Sequence, residues 1–176
     1  MKRSVGLIVM TAINSHLVAL LSKRGVWNEE KNDFESWPGA YQLTAHGKAE
    51  EGENVETNLE REVNEELGVL ASKIIFKNGW GKIKELNRKE KTDKIVINFA
   101  VWCDSPKILE IITPERTSGG IYAVRQYAFE SRMVDIANFD KKIGVPARNR
   151  TAIAMFHDEI EAVKKAFEIF SRPITA

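Results

Sequence analysis

Cysteine is nearly absent: the 176-residue sequence holds one, Cys103. A lone thiol closes no internal disulfide and builds no cysteine-based metal site, and three scattered histidines argue against zinc. A reducing, cytoplasmic setting is therefore expected. Proline (5) and glycine (11) are also sparse, which excludes collagen-like and low-complexity classes. An excess of one charge is missing too, since 26 Lys+Arg face 25 Asp+Glu, so no global field draws the chain to nucleic acid or anionic lipid. What remains is a composition of 43% hydrophobic and 29% charged residues on a length that suits one globular domain over residues 1–176.

Formal charge is missing from Ser4 to Ser22, a stretch that superficially suits a membrane span or leader. Asn14, Ser15 and His16 interrupt the run at its middle, and no small-residue cleavage site follows. Val5 to Ile13 and Leu17 to Leu21, joined by turn residues, read instead as a buried β-hairpin. Residues 23–39 are polar and turn-rich and read as a long loop, the kind that is often functional. Ala40 to Ala45 reads as a short strand. Farther on, Ile74 to Phe76, Lys94 to Cys103, Ile108 to Thr113 and Ile121 to Phe129 are strand candidates, with a short helix near Ser131 to Phe139. Apolar residues at three- and four-residue steps predict a helix over Arg148 to Phe170. The sum is an α/β chain with a mixed sheet flanked by helices.

The most informative stretch is acidic. Asn54 suits an N-cap, Val55, Leu59, Val63 and Leu67 repeat every four residues, and Gly68 suits the C′ position, so a helix is expected over Val55 to Leu67. On that helix Glu62, Glu65 and Glu66 stand at i, i+3 and i+4, which gathers three carboxylates on one face. Such a cluster is either a solvated acidic surface or an oxygen-rich site of the kind Mg²⁺ or Mn²⁺ prefers.

The surrounding pattern bears on that choice. Gly47, five residues, Glu53, seven residues, then Arg61-Glu62-Val63-Asn64-Glu65-Glu66-Leu67-Gly68-Val69 matches every specified position of the Nudix box, and the sequence strongly resembles a Nudix hydrolase. The resemblance implies a Nudix-type α/β/α sandwich on a mixed β-sheet. It implies a Mg²⁺- or Mn²⁺-dependent pyrophosphohydrolase that cleaves a diphosphate linkage in a nucleoside diphosphate-X or nucleoside triphosphate by water attack at phosphorus. By the same resemblance Glu62 and Glu66 are metal ligands, Glu65 is a further ligand or base, and the Gly47 carbonyl is a ligand. Arg61 and Glu53 pair with and orient the carboxylates. The family's general base sometimes lies outside the box. Glu115, just before Gly119-Gly120, is the candidate for it, with an exposed loop glutamate as the alternative and Glu110 and Glu130 as weaker options. A homodimer is compatible with the resemblance, and a nucleotide-sensing module on the same fold is the alternative function.

Several features bear on the substrate. Many relatives carry Pro-Gly-Gly before the box; here Ala45-His46-Gly47 stands, and His46 reads either as a phosphate or water contact or as a structural histidine. Trp27, Trp37 and Tyr41 read either as a platform for a base or as packing under the loop. The segment Lys73 to Lys94 is basic, which suits a solvated hairpin loop, with polyphosphate steering or contact to a capped RNA end as minor alternatives. The family's post-box marks for ADP-ribose, dinucleoside polyphosphate and NADH enzymes are absent, so the nucleotide-type substrate is left open.

Overall fold

The computed structural model describes residues 1–105, 107–112 and 119–171. The uncharged N-terminal stretch forms β1 (Lys2–Ile13) and β2 (His16–Lys23). They pair antiparallel from Ile13↔His16 to Val9↔Leu20, across a tight turn in which Asn14 and Ser15 both hold positive φ, as a two-residue hairpin requires. Val5 through Thr11 are all buried. A strand covered on both faces needs a continuous apolar run, and that run is what imitates a membrane span in the sequence. No helix among the described residues is long and apolar enough to cross a membrane.

Two minute strands, β3 (Trp27–Asn28) and β4 (Asp33–Phe34), pair within the long loop. Next come β5 (Tyr41–Gln42) and β6 (Ala45–Lys48), then α1 (Val55–Leu67) and α2 (Val69–Ile75). An antiparallel hairpin of β7 (Lys84–Glu90) and β8 (Lys94–Trp102) follows. The remainder comprises α3 (Ile108–Ile111), β9 (Ile121–Arg125), α4 (Gln126–Arg132), β10 (Met133–Asp135), β11 (Ile153–Met155) and α5 (His157–Ser171).

Strand β1 runs at the heart of a seven-stranded sheet ordered β5-β2-β1-β8-β7, antiparallel to β2 and parallel to β8, with β9 on the other edge of β2. The period-two alternation of β1 divides the core. Val5, Leu7 and Val9 pack with Leu59, Val63 and Leu67 of α1 and with Ala71 and Ile75 of α2. Ile8 and Met10 pack with Ile160, Val163 and Phe167 of α5 and with Phe129 of α4. Helices thus cover both faces of a mixed sheet, the α/β/α sandwich expected.

One feature of the sheet positions the site. The β1–β2 ladder stops at Val9↔Leu20; beyond it β1 pairs with β6 (Ser4↔Lys48 to Leu7↔Ala45), and β2 pairs with β5 at Ser22↔Gln42. The expected strand over Ala40 to Ala45 is therefore split between two partners. Thr44 stands at the fork: its Oγ1 accepts from the Val9 N–H (2.8 Å), and its hydroxyl donates to the Leu20 carbonyl. A buried hydroxyl thus bridges the last backbone pair before the strands separate.

Five expectations are corrected. Ile74 and Ile75 end α2, whose buried Ala71, Ser72 and Ile75 follow helical spacing. Ile108 begins a short helix, with Ile108 and Ile112 both buried one turn apart; residue 113 lies outside the described residues. The strand from Ile121 stops at Arg125, where α4 begins. The short helix expected near Ser131 is instead β10, paired in parallel with β11, followed by a single helical turn at Ile136–Asn138. Ile153 lies in β11, so the last helix starts at His157. In each case a short apolar run satisfies either period, and tertiary pairing decides. The basic segment 73–94 contributes β7, a sheet-edge strand whose alternating charges suit an exposed edge.

Candidate active site

Helix α1 has the predicted bounds because both ends carry their own signals. The Asn54 side chain accepts from the Thr57 N–H (2.8 Å), and Gly68, at φ 94°, ends the helix while its N–H donates to the Asn64 carbonyl. Leu59, Val63 and Leu67 are fully buried, each worth roughly 1.5–3 kcal/mol. That anchorage fixes the rotation of the helix and aims the glutamates at the strand before it.

Three hydrogen bonds strap α1 to β6. The Glu66 Oε2 accepts from the His46 N–H (3.1 Å), while Arg61 Nη2 (2.8 Å) and Asn58 Nδ2 (3.3 Å) donate to the Lys48 carbonyl. Between those two residues lies Gly47. A Cβ there would stand 1.9 Å from Cδ of Glu62, so the Glu62 carboxylate lies directly on the glycine backbone. Glycine is required at this position for space rather than for backbone conformation. Glu62 is consequently buried, at 6% exposure, unlike the open ledge that helical spacing alone suggests.

Arg61 is the charge hub of this wall. Its guanidinium grips Glu53 through Nε–Oε1 (2.7 Å) and Nη2–Oε2 (3.1 Å), and Nη1 approaches Glu62 (2.9 Å) and Glu65 (3.2 Å). The bidentate fork lets carboxylates lie close that would otherwise repel. Hydrogen bonding from Arg61 holds the Glu53 carboxyl below its usual range, and Glu53 in turn raises the Arg61 guanidinium above its own. Glu53 also accepts from the Glu50 N–H (2.8 Å), which closes the turn into α1.

A cleft of about 700 Å³ opens over this wall and brings together Gly47, Glu50, Arg61, Glu62, Glu65 and Glu66. The donors are oxygens, the chemistry of Mg²⁺ or Mn²⁺, and the glycine cradle leaves room for the Glu62 carboxylate, so these residues fit such an ion. Among the described residues no three His, Cys, Asp or Glu side chains form a finished metal cage. Glu53 stands behind the cleft, gripping Arg61. Glu115 lies outside the described residues, and Glu110 and Glu130 are absent from the cleft lining.

The facing wall comes from the loop after β2, whose length suggests a functional segment but whose residues, Arg24 and Glu35 among them, no motif singles out. Arg24 is its centre: Nη1 donates to the Ser36 carbonyl (2.8 Å) and lies 3.7 Å from Glu35, and the guanidinium faces the Phe156 ring at 5.8 Å. With the Gln42 amide oriented to satisfy both neighbours, its oxygen accepts from Arg24 Nε (2.6 Å) and Nη2 (2.5 Å), and its nitrogen donates to His46 Nε2 (3.1 Å). Burial, with Arg24 nearby, pushes the His46 imidazole down to about 4, so it does not change charge near neutral pH. Behind this wall Glu159 of α5 accepts from the Leu43 N–H (3.4 Å), its other carboxylate oxygen is buried without a hydrogen-bond partner, and burial pushes it up to about 7.

The aromatic residues of the loop point elsewhere. Trp37 packs edge-on against Phe156 (5.1 Å), Trp27 against Phe34 (5.4 Å) and Tyr41 against Tyr122 (6.1 Å), and none lines the cleft. No residue of the basic segment 73–94 lines it either. Cys103 is buried in the core.

Comparison with known proteins agrees with this architecture. A model of the NUDIX domain matches residues 1–134. A search of curated proteins returns no match. Among solved structures, a mutT/nudix family protein from Listeria innocua aligns at 20% identity and TM-score 0.58, covering 96% of this chain and 93% of that one. The NUDIX domain of Shewanella oneidensis NrtR, crystallised with ADP ribose, aligns at 12% identity and TM-score 0.58 (96% and 87%). A C. elegans Ap4A hydrolase in a binary complex aligns at 10% and 0.54 (97% and 98%). At such identities the structures speak for the fold; with the domain match over three-quarters of the sequence and an intact box on α1, the chain belongs to the Nudix hydrolase family.

Proposed function

We propose that this chain is a metal-dependent pyrophosphohydrolase of nucleoside diphosphate-X or nucleoside triphosphate compounds, with Glu62, Glu65, Glu66 and the Gly47 carbonyl holding Mg²⁺ or Mn²⁺. The observation that carries the reading is the Gly47–Glu62 cradle, which places a buried carboxylate beside Glu65 and Glu66 in one cleft. When bound, such an ion polarises phosphoryl oxygens, offsets phosphate charge and lowers the pKa of water. The protein's part is orientation. Arg61 fixes Glu62 and Glu65, and Glu53 fixes Arg61. The His46 N–H restrains Glu66 from the strand side. Glu65, at the cleft face of the helix, and Glu115 are the groups we assign to accept a proton from the attacking water. The oxygen–phosphorus bond of the water forms as the phosphoanhydride bond breaks, giving two phosphate products. The NrtR domain crystallised with ADP ribose and the C. elegans Ap4A hydrolase share this fold, which supports the substrate class.

The test is release of phosphate or phosphorylated products from nucleoside triphosphates, nucleoside diphosphate sugars, ADP-ribose, dinucleoside polyphosphates and capped RNA, with Mg²⁺, with Mn²⁺ and with chelator. Cleavage that depends on the cation is expected. Nucleotide binding without cleavage under either metal would replace the hydrolase reading with a nucleotide-sensing one.

A further inference from the structure

We propose that the wall built by residues 24–42 selects substrates whose group beyond the diphosphate is polyhydroxylated, such as a glycosyl group, and leaves the nucleobase unread. This rests on the hydrolase reading and names the substrate class of the same cleft. Every lining residue outside the box, from Ser22 to His46, ends its side chain in a nitrogen or oxygen. A base is held best by a flat aromatic face, yet Trp27, Trp37 and Tyr41 are engaged with other rings. Hydroxyl groups instead want donors and acceptors already fixed in place, because a polar site left unpaired discriminates strongly against compounds that lack the hydroxyl.

The wall has that character. Asn28 Nδ2 donates to Glu35 Oε2 (3.0 Å), and Asn28 Oδ1 accepts from the Lys31 N–H (3.1 Å). The Glu35 N–H donates to the Val26 carbonyl (2.8 Å), and its carboxylate lies 3.7 Å from Arg24. Glu35 is thereby held as a nearly buried acceptor, with a side chain 10% exposed, while the Lys31 side chain beside it is 61% exposed and brings donors. Of the charged residues in this part of the lining, Glu30 and Glu35 offset Lys31 and Arg24, while Lys23 adds one positive charge, its ammonium lying over the Tyr41 and Tyr122 rings at 5.3 and 5.9 Å.

The Mg²⁺-loaded full chain is assayed with UDP-glucose, ADP-glucose and GDP-glucose, the matching triphosphates and a dinucleoside tetraphosphate. The glucosyl compounds are expected to show at least tenfold higher kcat/KM than the triphosphates, with less than a threefold spread among bases. In parallel, binding of UDP-glucose and of UTP to chelator-treated protein is measured by titration calorimetry. UDP-glucose is expected to bind at least fivefold tighter, and Asn28→Ala and Glu35→Gln to erase that preference. Preference for triphosphates or the tetraphosphate, or a base spread beyond tenfold, overturns the proposal while the hydrolase reading stands. Selective UDP-glucose binding without any turnover upholds it while the hydrolase reading falls. Equal binding of both ligands overturns it whatever the rates.

Discussion

Two arginines hold the two walls of the cleft, and they do so with different partners. Arg61 is surrounded by carboxylates, Glu53, Glu62 and Glu65. Arg24 is held mainly by neutral acceptors, the Ser36 carbonyl and the Gln42 amide, with a ring beneath it. The first arrangement balances charge where a cation and phosphate meet. The second fixes a shape, which is what a surface for recognition needs. Falling pH should weaken the first wall through Glu53, and rising pH up to about 7 the backing of the second through Glu159.

The largest effect separating the walls is on turnover. Glu66→Gln keeps an oxygen to accept from the His46 N–H and leaves the core intact, so the chain should fold while kcat falls by more than about a hundredfold; partners one step further from a metal already cost 10–100-fold. Near-normal rates with Mg²⁺ would remove Glu66 from the metal assignment. Next comes Gly47→Ala, whose methyl would overlap the Glu62 carboxyl. Denaturant unfolding should show a loss of about 1–3 kcal/mol, as overpacking costs, together with a fall in turnover of at least tenfold. An unchanged midpoint would show that Glu62 can leave the cradle freely.

On the other wall, Arg24→Lys replaces a fork by a single ammonium that cannot serve Ser36 and Gln42 together. A loss of about 1–3 kcal/mol is expected, with KM rising several-fold and kcat changing less. A kcat-only effect would place Arg24 with the reacting groups instead.

The smallest effect is the pH response. Glu53 has a lowered carboxyl pKa, chiefly from the Arg61 hydrogen bond, so the stability it adds is present above the ordinary carboxylate range and lost as pH falls through the lowered value. Glu159 is raised from 4.5 to about 7 by burial, so the folded chain holds its proton more tightly than the unfolded chain does. Its effect on stability therefore falls as pH rises from 4.5 to about 7 and stays lower above. Glu159→Gln should flatten that slope and raise Tm at pH 8 relative to the parent, with little difference at pH 4. A parallel Tm-versus-pH curve for the two proteins would show that Glu159 does not titrate in this range.

The two walls also differ in how far they could be read from the sequence. The box wall is local: Asn54, the four-residue apolar repeat and Gly68 fix α1, and the glutamates follow from helical spacing. Even there, the burial of Glu62 was hidden, because it depends on β6 passing under the helix. The loop wall is made by long-range contacts such as Leu43 to Glu159, 116 residues apart, which leave no periodic trace. Short apolar segments such as Ile108 to Ile112 failed for a related reason, since a run that brief fits strand or helix until its neighbours choose. The match to the NUDIX domain ends at residue 134, and Phe156 and Glu159, which back the loop wall, lie beyond it.

That placement of α5 has a consequence for synthesis. The strands and helix that carry Gly47, Glu62 and Glu66 are all available once β8 has emerged at Trp102. Phe156 and Glu159 follow only later, at about 5–20 residues per second, so the two walls are separated by roughly 3–11 s on the ribosome. A nascent chain released early would lack the buttress for Trp37 and Leu43 and leave Ile8 and Met10 of the central strand without their cover. Truncation before α5 therefore strips one face of the sheet together with the backing of the loop wall.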